Sequence, residues 1–504
     1  MFWELLLAAL LFILIDHYYA RMQNRELYAR IPIVSKIPFI GCFIVLARFQ
    51  PDNLHLKFQE FVTRFGKSFC APVLRSGLMV VTADQHYAEV LLSSQKHLQK
   101  NQLYWLLRGW LGDGLLLSHG RQWQMMRKII TPTFHFKILE QFVNVFDRQS
   151  RILVQKLNAY GDGETSVDIS KSVGLMTLDV IAETAMGVCV NAQNDSKSDF
   201  VQAVKDVTNI VATHFIRPVL AFPRFFKLLQ PQMFKRQMEG VAVMHAFTEK
   251  NIEKRRRTLQ AAGNTNMEAP MTDVDDIGLK PRMALLDVLL QSTNSDGHPL
   301  TDAEIRDEVN TFMFEGHDTT TSAISFCLCR AADCQRKLFE EIRDYFGDDT
   351  SRAIEYSDLH ELTYLNNVIK ETLRLYPPIP VVGRWLREEL VLLDVTLPAG
   401  CNVLILLWQI LRDPDVYPEP ERFWPERHLL HNARSSAFSH IPFSAGPRNC
   451  VGQQFAIFEL RTVVVQILRH FELLPMDLDV HPSIKIVLRS KTGVNVELKT
   501  RIYA

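Results

Sequence analysis

Phe443-Ser444-Ala445-Gly446-Pro447-Arg448-Asn449-Cys450-Val451-Gly452 is the stretch on which the reading of this chain turns. It has the form F-x-x-G-x-R-x-C-x-G, with Phe443, Gly446, Arg448, Cys450 and Gly452 at its fixed positions. Glycine and proline constrain the loop, and an apolar helical pattern from Gln453 to His470 follows it. Cys450 is thereby expected near a helix N-terminus, where free amides and the helix dipole favour a thiolate. Gly446 suits a tight turn, Gly452 a close approach of backbone to a flat ligand, and Arg448 a carboxylate on that ligand. The competing reading is a buried structural cysteine ahead of a helix. That reading is adopted for Cys42, Cys70, Cys189 and Cys401, while Cys327, Cys329 and Cys334 are read as helix-packing thiols because their spacing does not suit zinc.

Upstream lies a second chemical segment. Thr301-Asp302-Ala303-Glu304 reads as a capping box, opening a helix expected to run to about Leu328. In its middle stands Glu315-Gly316-His317-Asp318-Thr319-Thr320. At spacings of three and four residues, Glu315, Asp318 and Thr319 are expected on one helix face. Gly316 leaves room for a ligand against the backbone, and an acid beside an alcohol is equipped to relay protons. The plainer alternative is a kinked helix whose threonine hydroxyls bond the preceding turn.

Together these segments resemble the cytochrome P-450 superfamily. That resemblance implies a mainly α fold with small β-sheets, holding haem b between the long central helix and the cysteine loop. It implies Cys450 as axial ligand of the iron and Asp318 and Thr319 as the acid–alcohol pair that delivers protons to dioxygen. Phe312-Met313-Phe314-Glu315-Gly316-His317-Asp318 resembles the family-four, fatty-acid ω-hydroxylating branch of insect microsomal type. Trp110–Leu116, Thr131–Phe136 and Ala284–Leu290 carry the same likeness. In that branch the glutamate at the Glu315 position forms an ester to a haem methyl; the alternative is a non-covalent carboxylate lining the pocket. Trp123 and Arg127 sit four residues apart, the spacing of a cation–π pair. By resemblance they bind a haem propionate, as Arg384 and Arg448 do.

Glu371-Thr372-Leu373-Arg374 matches the superfamily's E-x-x-R motif. Pro420-Glu421-Arg422-Phe423 matches its partner segment, so Arg422 is expected to join Glu371 and Arg374 in a buried network. Three departures stand out: Leu411 in place of a usual histidine, His428 in place of a common phenylalanine, and a segment Cys327–Gln335 shorter by nearly a helical turn.

The chain has 504 residues, with Lys+Arg and Asp+Glu both at 56, so its charge balance points to no nucleic acid. Eight cysteines in this length suit reduced thiols better than a disulfide framework. Leu5 to Ile15 is unbroken hydrocarbon, and Arg21, Arg25, Arg30 and Lys36 follow it. This predicts an uncleaved anchor over 1–20, a proline-containing linker over 21–41 and a catalytic body over 42–504 on the cytosolic face of the endoplasmic reticulum. No Gly-rich dinucleotide fingerprint occurs, so electrons from NADPH are expected through a separate cytochrome P-450 reductase, with cytochrome b5 a further partner. The expected activity is monooxygenation of a lipophilic small molecule: a fatty acid, a related lipid, a hormone or a foreign compound. Two rivals are a haem-thiolate isomerase or dehydratase acting on peroxides, and a catalytically inactive haem-binding protein.

Further strand patterns are expected at Val73–Ala83, turning at Ser76-Gly77, and at Glu389–Leu397 and Asn402–Trp408. A last hairpin is expected over Ile484–Leu498, turning near Thr492-Gly493. Ala261–Ile277 reads as a surface loop, and Lys254–Arg257 as a solvated helix end. Gln99–Leu117 and Val207–Phe226 are apolar and aromatic enough to line a pocket.

Overall fold

A computed structural model describes residues 24–35, 50–73, 77–217, 220, 222–265, 284–429, 436–474 and 480–503, with isolated positions before 24. The expected anchor and Cys42 fall almost wholly outside these residues, as does the turn at Ser76. Among the described residues no helix is long and apolar enough to cross a membrane. Within the expected linker, Arg25–Arg30 is helical, and Leu27 and Ile31 are buried. Ile33 bridges to Cys70, so this stretch packs on the body rather than spanning to it.

The elements that build the site are, in chain order, β1 (Ser68–Val73), β2 (Gly77–Thr82), α1 (Gly120–Ile130), α2 (Phe136–Leu157), β3 (Asp162–Asp168), α3 (Ile169–Ile181), α4 (Asp199–Ile216), α5 (Pro231–Thr265), α6 (Asp302–Phe346), α7 (Thr363–Leu375), β4 (Val381–Trp385), β5 (Leu390–Val391), β6 (Thr396–Leu397), β7 (Asn402–Leu406), α8 (Gln453–His470), β8 (Phe471–Leu474), β9 (Pro482–Ile484), β10 (Leu488–Ser490) and β11 (Asn495–Thr500). The mainly α architecture with small sheets is the one expected.

α6 is the axle. It packs against α3, α5, α7 and α8. Its start is set by the capping box: the Thr301 hydroxyl accepts from the Glu304 amide at 3.3 Å, and the Glu304 carboxylate accepts from the Thr301 amide at 2.8 Å. The helix does not stop near Leu328. It continues unbroken for 45 residues and ends where Gly347 takes φ +70°, a length of roughly 67 Å at about 1.5 Å per residue. Asp302 to Phe346 contains no proline, so nothing in the shortened Cys327–Gln335 segment breaks the ladder. The dominant core lies where α2, α3, α6, α7 and α8 meet, around Phe146, Val173, Ile324, Leu365 and Val464.

The four-stranded sheet has the order β1-β2-β7-β4, with β2 and β7 parallel. Glu389–Leu397 is not one strand but a small hairpin, β5 paired with β6. The expected final hairpin does not form. β10 folds back on β9 instead, and after the turn at Gly493 (φ +82°) β11 crosses to pair with β3 and β8. Alternation marks a strand, not its partner.

Helix α5 extends to Thr265, so the expected loop from Ala261 begins as helix; residues 266–283 are outside the described set. Nor is the basic cluster merely solvated. Arg255 grips the buried Asp287 with two nitrogens at 2.5 and 3.1 Å, and Arg256 pairs with Asp302 at the start of α6. Of the cysteines read as buried, Cys70 and Cys401 are; Cys189 is exposed.

Candidate functional site

The cysteine loop is shaped by its own backbone. The Cys450 amide donates to the Phe443 carbonyl at 3.0 Å, and the Asn449 amide to the Gly446 carbonyl at 3.0 Å. Gly446 has φ +70°, and a Cβ there would collide with the carbonyl of Leu92, so the position is closed to other residues on two counts. Gly452 differs. A Cβ on it would make only ordinary contact with the Phe134 ring at 3.7 Å, so nothing in the protein's own packing demands a glycine.

Cys450 lies deep in the protein, three residues ahead of α8, yet its side chain keeps open surface: it faces an enclosed space. Burial pushes the thiol up to about 12, with the Glu315 carboxylate adding to the rise. The Gly452 amide, Arg127 and Lys100 pull the other way. A coordinated metal ion would outweigh this balance, since a ligating thiol is deprotonated outright.

Facing the same space, α6 presents Glu315. Burial raises its carboxyl, while Lys100, Arg448 and Arg127 hold it down. Lys100 is itself lowered by burial, with Arg384 and Arg448 as like-charged neighbours. Arg384, 1 % exposed, bonds only the Gly383 carbonyl through Nη1, and its Nη2 has no partner. Burial, then Arg384, brings Arg448 down to about 9, even though it donates to the carbonyls of Ser118 and Leu116. Arg127 donates to the Asn449 carbonyl at 3.0 Å and its side-chain oxygen at 2.7 Å, tying α1 to the loop. The cation over Trp123 is Arg448, 4.7 Å from the ring centroid, rather than Arg127.

Four cations, Arg384 and Arg448 buried and Lys100 and Arg127 partly so, thus converge where the acidic groups acting on them are Glu315, Cys450 and Tyr104. Unpaired charge in such a place is costly. A flat group carrying two carboxylates and an iron would offset the excess, and haem is such a group, so the residues present fit it. Lys100 belongs to that set and was not found from the sequence; an isolated lysine in Gln99-Lys100-Asn101 carries no local signal.

Glu315, Asp318 and Thr319 lie on neighbouring turns of unbroken α6, as their spacing predicts, but their side chains take different partners. Glu315 turns to the cations, whereas Asp318, 2 % exposed, pairs through Oδ1 with Arg489 of β10. Its Oδ2 is buried without a partner. The Thr319 hydroxyl donates to the Glu315 carbonyl at 2.6 Å, the turn-bonded state of the plainer alternative. Gly316 makes room for protein, not ligand: a Cβ there would strike Ile181 of α3. Under this stretch, Glu459 of α8 is fully buried beside Thr320, and burial holds its carboxyl well above the usual range.

Leu107, Trp110, Leu111, Val204, Val207, Val211, Phe314 and Val487 pack into one apolar cluster beside Glu315. It draws on both segments expected to line a pocket.

Behind the loop, Glu371 and Arg374 are both 0 % exposed and joined by two bonds of 2.9 Å. The second arginine is Arg427, at 2.9 Å from Glu371, and not Arg422. Arg422 is exposed and pairs with Glu419; only its carbonyl enters the network, accepting from Arg374 at 3.2 Å. His428 adds a contact of 3.0 Å to Glu371. The carbonyl of Leu411 accepts from Arg374 at 2.9 Å, a role open to any side chain at that position.

The family model "Cytochrome P450" matches residues 32–496. The chain is similar to "Cytochrome P450 4ae1" of Drosophila melanogaster, at 54% identity over 94% of this chain and 93% of that protein. It is 46% identical to "Cytochrome P450 4d2" of the same organism, over 99% and 98%. To "Cytochrome P450 4d10" of Drosophila mettleri it is 39% identical, over 96% and 94%.

Proposed function

The chain belongs to the cytochrome P450 family and is a haem-thiolate monooxygenase, and we propose that Cys450 is the residue whose sulfur holds its iron. The enzyme inserts one oxygen atom of dioxygen into a lipophilic substrate, with electrons from NADPH through a separate reductase. No observation favours the isomerase or inactive readings. The carrying observation for the proposed site is the convergence of Lys100, Arg127, Arg384 and Arg448 on the space that Cys450 and Glu315 face. Trp123, beneath Arg448, holds that guanidinium in place. When bound, the haem supplies the iron at which dioxygen is activated.

This chain's own residues position, exclude water and move protons. The apolar cluster around Phe314 excludes water and admits a lipophilic chain. Asp318 takes a proton from solvent, and Thr319 passes it inward after turning its hydroxyl away from the Glu315 carbonyl. Fatty acids are the proposed substrate class. Microsomes from cells expressing the chain, given reductase, NADPH and dodecanoic acid, are expected to yield the terminal alcohol. A Thr319→Ala variant should consume NADPH at a comparable rate but give several-fold less product. Activity confined to the soluble fraction would overturn a membrane location, and unchanged coupling in the variant would overturn the relay.

Glu315 is further proposed to carry the haem through an ester to a methyl carbon. That bond replaces a C–H, a two-electron oxidation driven by the enzyme's own dioxygen chemistry. Haem should then stay with the polypeptide through acid–organic extraction, and leave it in Glu315→Gln. Complete extraction from the unaltered protein rules the ester out.

The endoplasmic reticulum membrane is the proposed location, with cytochrome b5 as a second electron donor. Supporting the first are the hydrocarbon run before Arg21 and an exposed apolar patch of Phe222, Phe225, Leu228 and Leu229, with the Trp105 ring 6.1 Å from Phe222.

A further inference from the structure

Four consecutive residues of the β9–β10 hairpin do three different things. Ile486 and Val487, in the turn, pack into the apolar cluster with Leu107, Trp110, Val207 and Phe314, where a lipophilic substrate must lie. The next residue, Leu488, fastens the hairpin to α6 by accepting from the Ser322 hydroxyl at 2.6 Å. Arg489 then reaches Asp318, one helical turn before Ser322 on the same face. Phe314, a turn earlier still, belongs to the cluster that Val487 enters.

The two ends of the Arg489–Asp318 pair are unlike. Asp318 is 2 % exposed with Oδ2 unpartnered, whereas the Arg489 side chain is 37 % exposed. The arginine therefore stands between bulk water and the buried acid. While the guanidinium occupies Oδ1, that oxygen is closed to a proton arriving from water. It delivers one only after the pair loosens.

We propose that Arg489 is a positioning residue that ties proton delivery by Asp318 to occupancy of the apolar chamber. The proposal rests on Asp318 being the relay acid. Substrate pressing on Ile486 and Val487 displaces the hairpin, and because Arg489 follows within three residues its hold on Asp318 loosens with it. A proton from water then reaches an Asp318 oxygen and moves on to the Thr319 hydroxyl, which gives up its own proton inward and ends as it began. Without substrate the pair stays closed, and electrons are not spent on reducing dioxygen to no purpose.

The test uses the full chain in membranes with its reductase, each variant first shown to bind haem by its thiolate-type carbon monoxide spectrum. NADPH oxidation is measured with and without dodecanoic acid. Arg489→Gln should raise the substrate-free rate several-fold and lower product per NADPH. Arg489→Lys should return both towards the starting values, because the pair is one nitrogen on one oxygen, which an ammonium can reproduce. The substrate-free rate is decisive whether or not dodecanoic acid is oxidised. If Asp318→Asn impairs turnover while both Arg489 variants behave as the unaltered protein, the relay stands and the gate is overturned. If Asp318→Asn has no effect, the relay reading itself has failed, and the gate with it.

Discussion

Cys450→Ala is expected to abolish the thiolate-type carbon monoxide spectrum and bring monooxygenation to background. The reason lies in how little else the site offers an iron. Among the described residues no group of three or more His, Cys, Asp or Glu side chains is arranged to hold a metal ion. His317 is enclosed, and burial pushes it down to about 4, but it stands on α6 packed towards Gly174 of α3 rather than over the loop. Thr319 and Glu315 lie across the space from the sulfur, on the other wall. Alanine fills the Cys450 position without strain, since the loop is held by the bonds to Phe443 and Gly446 and by the glycine at 446. The variant should therefore fold and still attract haem weakly through its four cations. That makes the experiment discriminating: protein present, spectrum gone. A surviving thiolate spectrum would move the ligand to another cysteine.

How much of this could be read from the chain follows the range of each interaction. The shape of the cysteine loop was legible because its parts are contiguous: the cysteine proposed as ligand, the turn glycine and the cation lie within Phe443–Gly452. The capping box and the start of α6 were legible for the same reason. Its end was not, because the helix was expected to stop near Leu328, where this chain has neither proline nor glycine to stop it. Arg489 was invisible as the partner of Asp318, 171 residues away. The last hairpin failed for a related cause: Asn495–Thr500 has a strand pattern, but pairing with β3 and β8 is a tertiary choice. Most instructive are two copies of Pro-Glu-Arg, at 420–422 and 425–427. Either can serve a motif. Only burial selects between them, with Arg427 inside and Arg422 in solvent.

That choice yields the largest expected effect on stability. Glu371 sits in the interior among Arg374, Arg427 and His428, and its carboxylate also accepts from the Trp424 amide at 2.9 Å. Burial by itself raises a carboxyl. Here the bonds from His428, Arg374 and Trp424 outweigh it and bring Glu371 down to about 2 from 4.5. A group depressed in this way lends stability that is fully present above the unfolded value. The contribution is about 3 kcal/mol, and it is lost as pH falls from about 4.5 through about 2. Glu371→Ala removes it at all pH values and also leaves Arg374 and Arg427 buried without their anion, so a loss of about 3–5 kcal/mol is expected. Little haem-loaded protein should accumulate, and whatever does should unfold in less urea than the unaltered chain. Arg427→Ala should approach that severity. Arg422→Ala should stay within about 0.5 kcal/mol, because its contribution is a backbone carbonyl that alanine retains. Reversal of the two arginine results would restore Arg422 to the network and refute the arrangement described.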